Sequence, residues 1–165
     1  MVQKPKKIRY VSELSFPEQK WLARAIVTIF LADDTIEDSQ IAYMKKLSKV
    51  FWKEEPKETI KEIARYLRER EVPEIDPLVV EDPEHLIFML NTLVSSIFTN
   101  EDKQDEEVRR YFKAGLKLGV THQVLMLKLT YQKERFRIKM AQKEVDEEIR
   151  RIVRERAEKS IREGH

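Results

Sequence analysis

The sequence predicts an all-α fold, a bundle of about six helices from which a long C-terminal helix extends. Three observations predict it. Of the 165 residues, 38% are charged, 41% are hydrophobic and only three are glycine, a composition typical of charge-rich helical proteins. Apolar residues recur at helical spacing between capping residues. One arrangement of residues occurs twice, about 68 positions apart, which indicates that two pseudo-repeats build the bundle.

The repeated arrangement begins in residues 26–51, where an apolar helix leads through an acidic loop into an amphipathic helix. In the second copy Ile97 matches Ile29 and Tyr111 matches Tyr43, and acidic residues recur in the loop between them. Since the match needs no gap, we interpret the chain as an internal duplication.

Capping signals set the limits of the helices in the first half of the chain. Ser15 and Glu18 have the spacing of a capping box, and Pro17 lies in the first turn, so a helix begins after Ser15. This helix is apolar on nearly every face, which predicts a central position surrounded by other helices. The helices predicted in this half cover about 16–32, 38–52 and 56–70.

The second half carries similar signals. Asp82 and Pro83 open a second central helix, and Gly119 ends the helix that follows it. Thr121 caps the last helix, which meets no proline or glycine until Gly164. The helices predicted in this half cover about 83–99, 105–118 and 122–163. Four residues are predicted to dock the last helix on the core: Val124, Leu125, Leu127 and Leu129.

The chain therefore divides into three predicted parts. Residues 1–14 form a flexible N-terminal arm, residues 15–131 form the helical domain, and residues 132–165 form a C-terminal helical extension. Residues 1–9 of the arm carry four basic residues and no acid, which makes them a candidate anion-binding segment: Lys4, Lys6, Lys7 and Arg9. The arm could make a peripheral contact with an anionic membrane surface. Because aromatic residues are not interleaved among its basic residues, we do not expect nucleic acid as a partner.

The extension keeps one apolar stripe on a helix that is otherwise strongly charged. Pairs such as Glu147 and Arg151 have the i,i+4 spacing and order that favour a salt bridge. The stripe predicts association with a second copy or with a different protein, although a solvated single helix is a third interpretation. The stripe consists of Ile138, Ala141, Val145, Ile149, Ile152 and Val153.

The usual signals of an enzyme do not occur in this sequence. Cysteine is missing, and the three glycines form no phosphate-binding loop. No serine lies in a Gly-x-Ser-x-Gly motif. We interpret His85 and His122, which both lie in first turns of helices, as partly exposed surface residues rather than ligands. The sequence therefore predicts a non-enzymatic protein without a cofactor.

The acidic loops are the one candidate for a metal site. Carboxylates are the oxygen ligands that Ca²⁺ and Mg²⁺ prefer, so these loops are candidates for weak binding of either cation. An alternative function of the chain is therefore that of a divalent-cation-binding regulatory domain. An EF-hand is excluded, because Asp38 and Met44 stand where its loop needs glycine and glutamate. Capping of the following helices explains the same residues without a metal. The candidate ligands are Asp33, Asp34, Glu37, Asp38, Glu101, Asp102 and Asp105.

Residues 32–40 resemble the TerB-like family and read Ala-Asp-Asp-Thr-Ile-Glu-Asp-Ser-Gln. This family has the all-helical fold of tellurite-resistance TerB, which the N-terminal region of the DjlA co-chaperones shares. Residues 100–105 are a weaker echo, and the resemblance covers about residues 16–130. It implies a TerB-like bundle of two pseudo-repeats and a protein-interaction module of stress-response or membrane-associated assemblies. Asp34 replaces the family's glycine and Gln40 its glutamate, and without a His-Pro-Asp triplet no J-domain is implied.

The N-terminus and the lengths of the apolar runs predict where in the cell the protein is located. The N-terminus has no apolar signal core, so we expect a cytoplasmic protein. The longest apolar runs are about 11–14 residues, too short to cross a bilayer, so no transmembrane segment is expected.

Overall fold

The computed structural model describes residues 7–32, 42, 57–98 and 105–164, and the all-α prediction is confirmed for them. A short 3₁₀ turn, Val11–Glu13, precedes the first α-helix, and the described residues form no β-strand. The predicted helix over 38–52 lies outside the described residues, apart from Ala42. The five described α-helices are α1 (Phe16–Phe30), α2 (Lys57–Glu69), α3 (Pro83–Ile97), α4 (Asp105–Lys117) and α5 (His122–Arg162).

Helix α1 lies at the centre of the core, as its uniformly apolar sequence predicted. It contacts α2, α3 and α4, and α3 also contacts α4. Ala23 and Ala25 are buried, and Phe30 has no exposed surface. Burying each large apolar side chain contributes about 1.5–3 kcal/mol, so these contacts are the main source of stability. The large side chains of α1 and α3 that are fully buried are Leu22, Ile26, Ile29, Phe30, Met89, Leu93 and Ile97.

The predicted N-terminal caps of α1 and α3 are both present. The backbone N–H of Glu18 donates to Ser15 Oγ at 3.3 Å, and the backbone N–H of Ser15 donates to Glu18 Oε1 at 2.7 Å. In α3, the backbone N–H of Glu84 donates to Asp82 Oδ1 at 2.9 Å. Each cap satisfies backbone donors that a helix start leaves without partners.

Helix α4 ends where Gly119 was predicted to end it. Gly119 has a φ of +77°, a conformation that costs other residues energy. The N–H of Val120 donates to the carbonyl of Gly115 at 3.3 Å, and that of Gly119 to the carbonyl of Leu116 at 3.0 Å, the two bonds of a Schellman motif. Thr121 Oγ1 then accepts a bond from the N–H of Val124 at 3.4 Å and caps α5.

The start of α5 packs closely on α4. Leu125 is fully buried, and a Cβ placed on Gly115 would lie 2.3 Å from Leu125 Cδ2, so any other residue there would force Leu125 to shift. The buried Tyr111 hydroxyl donates to the carbonyl of Leu125 at 3.0 Å. The predicted docking set was wrong for Val124 and Leu127, which are exposed, because a helix that faces the core with Leu125 turns those positions away.

Residues 71–82, between α2 and α3, form an ordered strap. The indole Nε1–H of Trp21 donates to the carbonyl of Asp76 at 2.8 Å. The N–H of Leu78 donates to the carbonyl of Lys117 at 3.1 Å. Pro73 is buried, and the strap is therefore fixed to both α1 and α4.

The segment before α1 also contributes to the core. Val11 and Leu14 are both buried, so two side chains of the predicted arm belong to the folded body. The chain consists of two compact units, Met1–Leu129 and Thr130–His165. The second unit consists of the greater part of α5 and the residues after it.

Candidate functional site

The predicted apolar stripe of the extension is exposed along α5. We call Ile138, Ala141, Val145, Ile149, Ile152 and Val153 the interaction stripe. Its five large aliphatic side chains keep between 36% and 58% of their surface exposed, and Ala141 is exposed as well. These residues follow one another at intervals of three or four positions, except that Ile152 and Val153 are adjacent, so they share one side of the helix. An apolar surface of this length is uncommon on soluble proteins unless something binds it.

Ion pairs between exposed side chains support the helical conformation of the same segment. Arg137 pairs with Glu134 and Arg151 pairs with Glu148, while a second nitrogen of Arg151 lies 2.6 Å from Glu155. Hydrogen bonding to these guanidinium groups lowers the pKa of Glu134 and of Glu148. All these groups are exposed, so solvent screens the pairs and each one contributes little to stability.

The pairing differs from the one that the spacing predicted. The predicted partner of Arg151 was Glu147, but its guanidinium instead bridges Glu148 and Glu155. Lys159 lies 3.9 Å from Glu163, one turn further along the helix. An arginine on a helix can reach acids at both i−3 and i+4. Where several acids lie within reach, side-chain geometry decides which of them forms the ion pair.

The stripe is continued toward the start of the second unit by an aromatic residue. Tyr131 is 62% exposed, and the guanidinium carbon of Arg135 lies 5.8 Å from the centre of its ring. A cation over an aromatic ring is a common feature of protein interfaces. Tyr131 lies seven residues before Ile138, so it extends the same side of α5.

The predicted metal ligands lie almost entirely outside the described residues. Asp105 is the exception, and it is exposed in the first turn of α4, where an acid stabilises the positive end of the helix dipole. In the part of the chain that the structure describes, no three metal-binding side chains cluster. Cation binding by the loops around residues 33–38 and 101–105 stays a prediction, which calorimetric titration with Ca²⁺ and Mg²⁺ would test.

The predicted anion-binding arm is described only in part. Lys7 and Arg9 are exposed, while Lys4 and Lys6 lie outside the described residues. The backbone N–H groups of Arg9 and Tyr10 donate to Glu13 Oε2 at 2.7 Å and 3.0 Å, so an acid that the arm prediction did not consider lies beside it.

A second basic surface, which the sequence reasoning missed, lines a cleft of about 420 Å³ between α4 and the strap. We call it the basic cleft. Its spacing signal was present in the sequence, since Arg109, Lys113 and Lys117 occur at i, i+4 and i+8. The cleft is lined by Thr28, Val72, Pro73, Glu74, Ile75, Glu106, Arg109, Arg110, Lys113, Ala114 and Lys117.

Bonds to α1 and to Glu106 hold the arginines of the basic cleft. Arg110 Nη1 donates to the carbonyl of Thr28 at 2.7 Å and its Nε lies 3.4 Å from Glu106 Oε1. The other oxygen of Glu106 lies 3.2 Å from Arg109. Lys113 and Lys117 form no ion pair with any residue of the described ranges.

A polar junction joins the starts of α1 and α3. His85 Nδ1 lies 2.8 Å from Glu18 Oε1, and its Nε2 lies 3.5 Å from Asp82 Oδ2. Burial disfavours the charged form of Glu18, but hydrogen bonds from Ser15 and His85 outweigh burial and lower the pKa of this carboxyl. Both histidines keep exposed surface, as predicted, although His85 is half-buried in this junction. His122 stacks on Phe112 with a ring-centroid separation of 4.6 Å.

No family model, curated protein or solved structure matches this chain in comparisons of sequence and structure. The described helices and the exposed interaction stripe define an all-α protein with an apolar helix face. Among the described helices, none combines the length and the apolar character needed to cross a membrane.

Proposed function

We propose that this chain is a non-enzymatic protein-interaction module that associates through the interaction stripe. The observation that carries the proposal is the exposure of five large aliphatic side chains along one side of α5. Ordinary surface helices turn such a side toward a core. The stripe is therefore an apolar surface suited to a second helix, either of another copy or of a different protein.

The composition of the stripe also suits association. All five of its large residues are β-branched isoleucine or valine, and basic and acidic side chains flank them. Each therefore loses little side-chain freedom on burial. Burying one such residue at an interface contributes about 1.5–3 kcal/mol before the cost of association.

Light scattering on the full chain, combined with site-specific photo-crosslinking, tests the proposal. The test variant carries Ile149→Asp and Ile152→Asp. The matched control is Ile161→Asp, which alters an isoleucine that is 75% exposed on the same helix but outside the stripe. A photo-crosslinking residue placed at position 149 or at position 161 reports contacts inside the cell.

We expect a discrete crosslinked product from position 149 and none from position 161. If the partner is a second copy, the full chain is a dimer or larger, the double variant is a monomer, and the Ile161 variant keeps the wild-type mass. A monomeric full chain that gives no product at position 149 contradicts the proposal.

We further propose that the body is a TerB-like bundle of two pseudo-repeats that serves stress-response or membrane-associated assemblies in the cytoplasm. The residues of 32–40 and 100–105 that resemble this family support it. So does the packing of α1 against α3, the two helices that the duplication makes equivalent. Backbone chemical shifts would test the fold: a helix over 38–52, equivalent to α4, is expected, and an extended or irregular conformation there contradicts the duplication.

A further inference from the structure

The basic cleft carries more positive charge than its neighbours neutralise. Four cationic side chains line it, against the two acids Glu74 and Glu106. Glu106 lies beside both arginines. The ammonium groups of Lys113 and Lys117 are therefore left without a counter-ion among the described residues.

This arrangement is unfavourable for α4 itself. Arg109, Lys113 and Lys117 lie above one another on the helix, and like charges at i,i+4 destabilise a helix. The negative end of the helix dipole stabilises Lys117 in the last turn. It does not favour Arg109, which lies in the first half of the helix. An anion bound in the cleft would remove this repulsion.

The opposite wall of the cleft is of a different character. Val72, Pro73 and Ile75 of the strap face the basic row, and Val72 is 49% exposed. The bonds from Trp21 and to Lys117 fix the strap, so the wall is formed before any ligand arrives. A volume of about 420 Å³ suits a small molecule rather than a folded partner.

We propose that the basic cleft binds a small organic anion that carries at least two negative charges, as phosphate or carboxylate groups, next to a short apolar portion. Lys113 and Lys117 contact the charged groups, since ammonium groups bind phosphate and carboxylate oxygens as point charges. The apolar portion packs on Val72 and Ile75. This site is independent of the interaction stripe and of the predicted arm.

Titration of the full chain with pyrophosphate and with citrate tests the site and separates a phosphate ligand from a carboxylate ligand. Sodium chloride at matched ionic strength is the control for screening. The test variant is Lys113→Gln with Lys117→Gln. The matched control is Lys139→Gln with Lys143→Gln, which removes two exposed lysines at the same spacing on α5.

We expect calorimetry to show one binding site for at least one probe, and the melting temperature of the wild type to rise by several degrees at millimolar probe. Affinity should fall at least tenfold in the cleft variant and less than twofold in the control. Amide chemical shifts of the wild type should move at 72–75 and 109–117, a readout that does not depend on any variant.

Two results overturn the proposal. One is that neither probe releases heat or raises the melting temperature more than chloride does. The other is that binding proves not to be specific to the cleft. In that case the control variant loses as much affinity as the cleft variant, or the shift changes lie elsewhere.

Discussion

Replacing Gly115 by alanine sets two effects against each other at the contact between α4 and α5. Glycine in the interior of a helix costs about 1 kcal/mol relative to alanine, so propensity alone predicts a more stable protein. The new Cβ, however, would lie 2.3 Å from Leu125 Cδ2 and 2.7 Å from Cδ1. Leu125 is fully buried, so we expect that relieving this overlap costs about 1–3 kcal/mol.

The balance predicts that Gly115→Ala is between neutral and about 2 kcal/mol destabilising. Leu125→Ala removes the overlapping atoms and leaves a cavity, at a cost of about 2–5 kcal/mol. In that background the clash is gone, so adding Gly115→Ala should stabilise the protein by about 1 kcal/mol. The sign of the alanine effect therefore reverses between the two backgrounds.

Urea unfolding of the four proteins measures this cycle. The fluorescence of Trp21, which is buried beside the core, reports on the body rather than on the extension. A coupling of about 1–3 kcal/mol between the two positions is expected. If Gly115→Ala stabilises the wild type by about 1 kcal/mol and the coupling is zero, the close approach of α4 and α5 is not the reason for this glycine.

Two further predictions concern ionisation. The pKa of Glu18 is lowered in the folded state, so its stabilising contribution is complete above about pH 4.5 and is lost as the pH falls through the lower folded value. Glu18→Gln should therefore flatten the acid part of a profile of melting temperature against pH. An unchanged slope in acid would contradict the role of the junction. Burial raises the pKa of Tyr111 to about 12 from 10.0, so stability falls as the pH rises between these values. Tyr111→Phe should cost about 1 kcal/mol at neutral pH for the lost bond to Leu125, and it should remove that alkaline step in absorbance-monitored unfolding; a step that persists in the variant would assign it to another group.

The limits of the helices could be predicted because local chemistry sets them. Ser15, Asp82 and Gly119 each act on backbone groups a few positions away, and the described helices begin and end within about two residues of the predicted positions. The exposure of the interaction stripe was also predictable, since charged residues occupy the other sides of the same helix.

The strap and the basic cleft could not be predicted in the same way. The strap has no helical or strand periodicity, and its order comes from bonds to Trp21 and Lys117, which are far from it in sequence. The row of Arg109, Lys113 and Lys117 is visible in the sequence, but a concave wall opposite it is not. Val124 and Leu127 were misassigned because an apolar residue type does not say which side of a helix meets the core.

The strap also bears on the order in which the chain assembles during synthesis. Its bond from Leu78 ends on the carbonyl of Lys117, a residue that leaves the ribosome long after the strap itself. Until α4 has been made, Trp21 can hold the strap at Asp76 but the second attachment has no partner. The N-terminal half of the body therefore cannot complete its surface alone, and a nascent chain that stops before α4 exposes the apolar residues that α4 would cover.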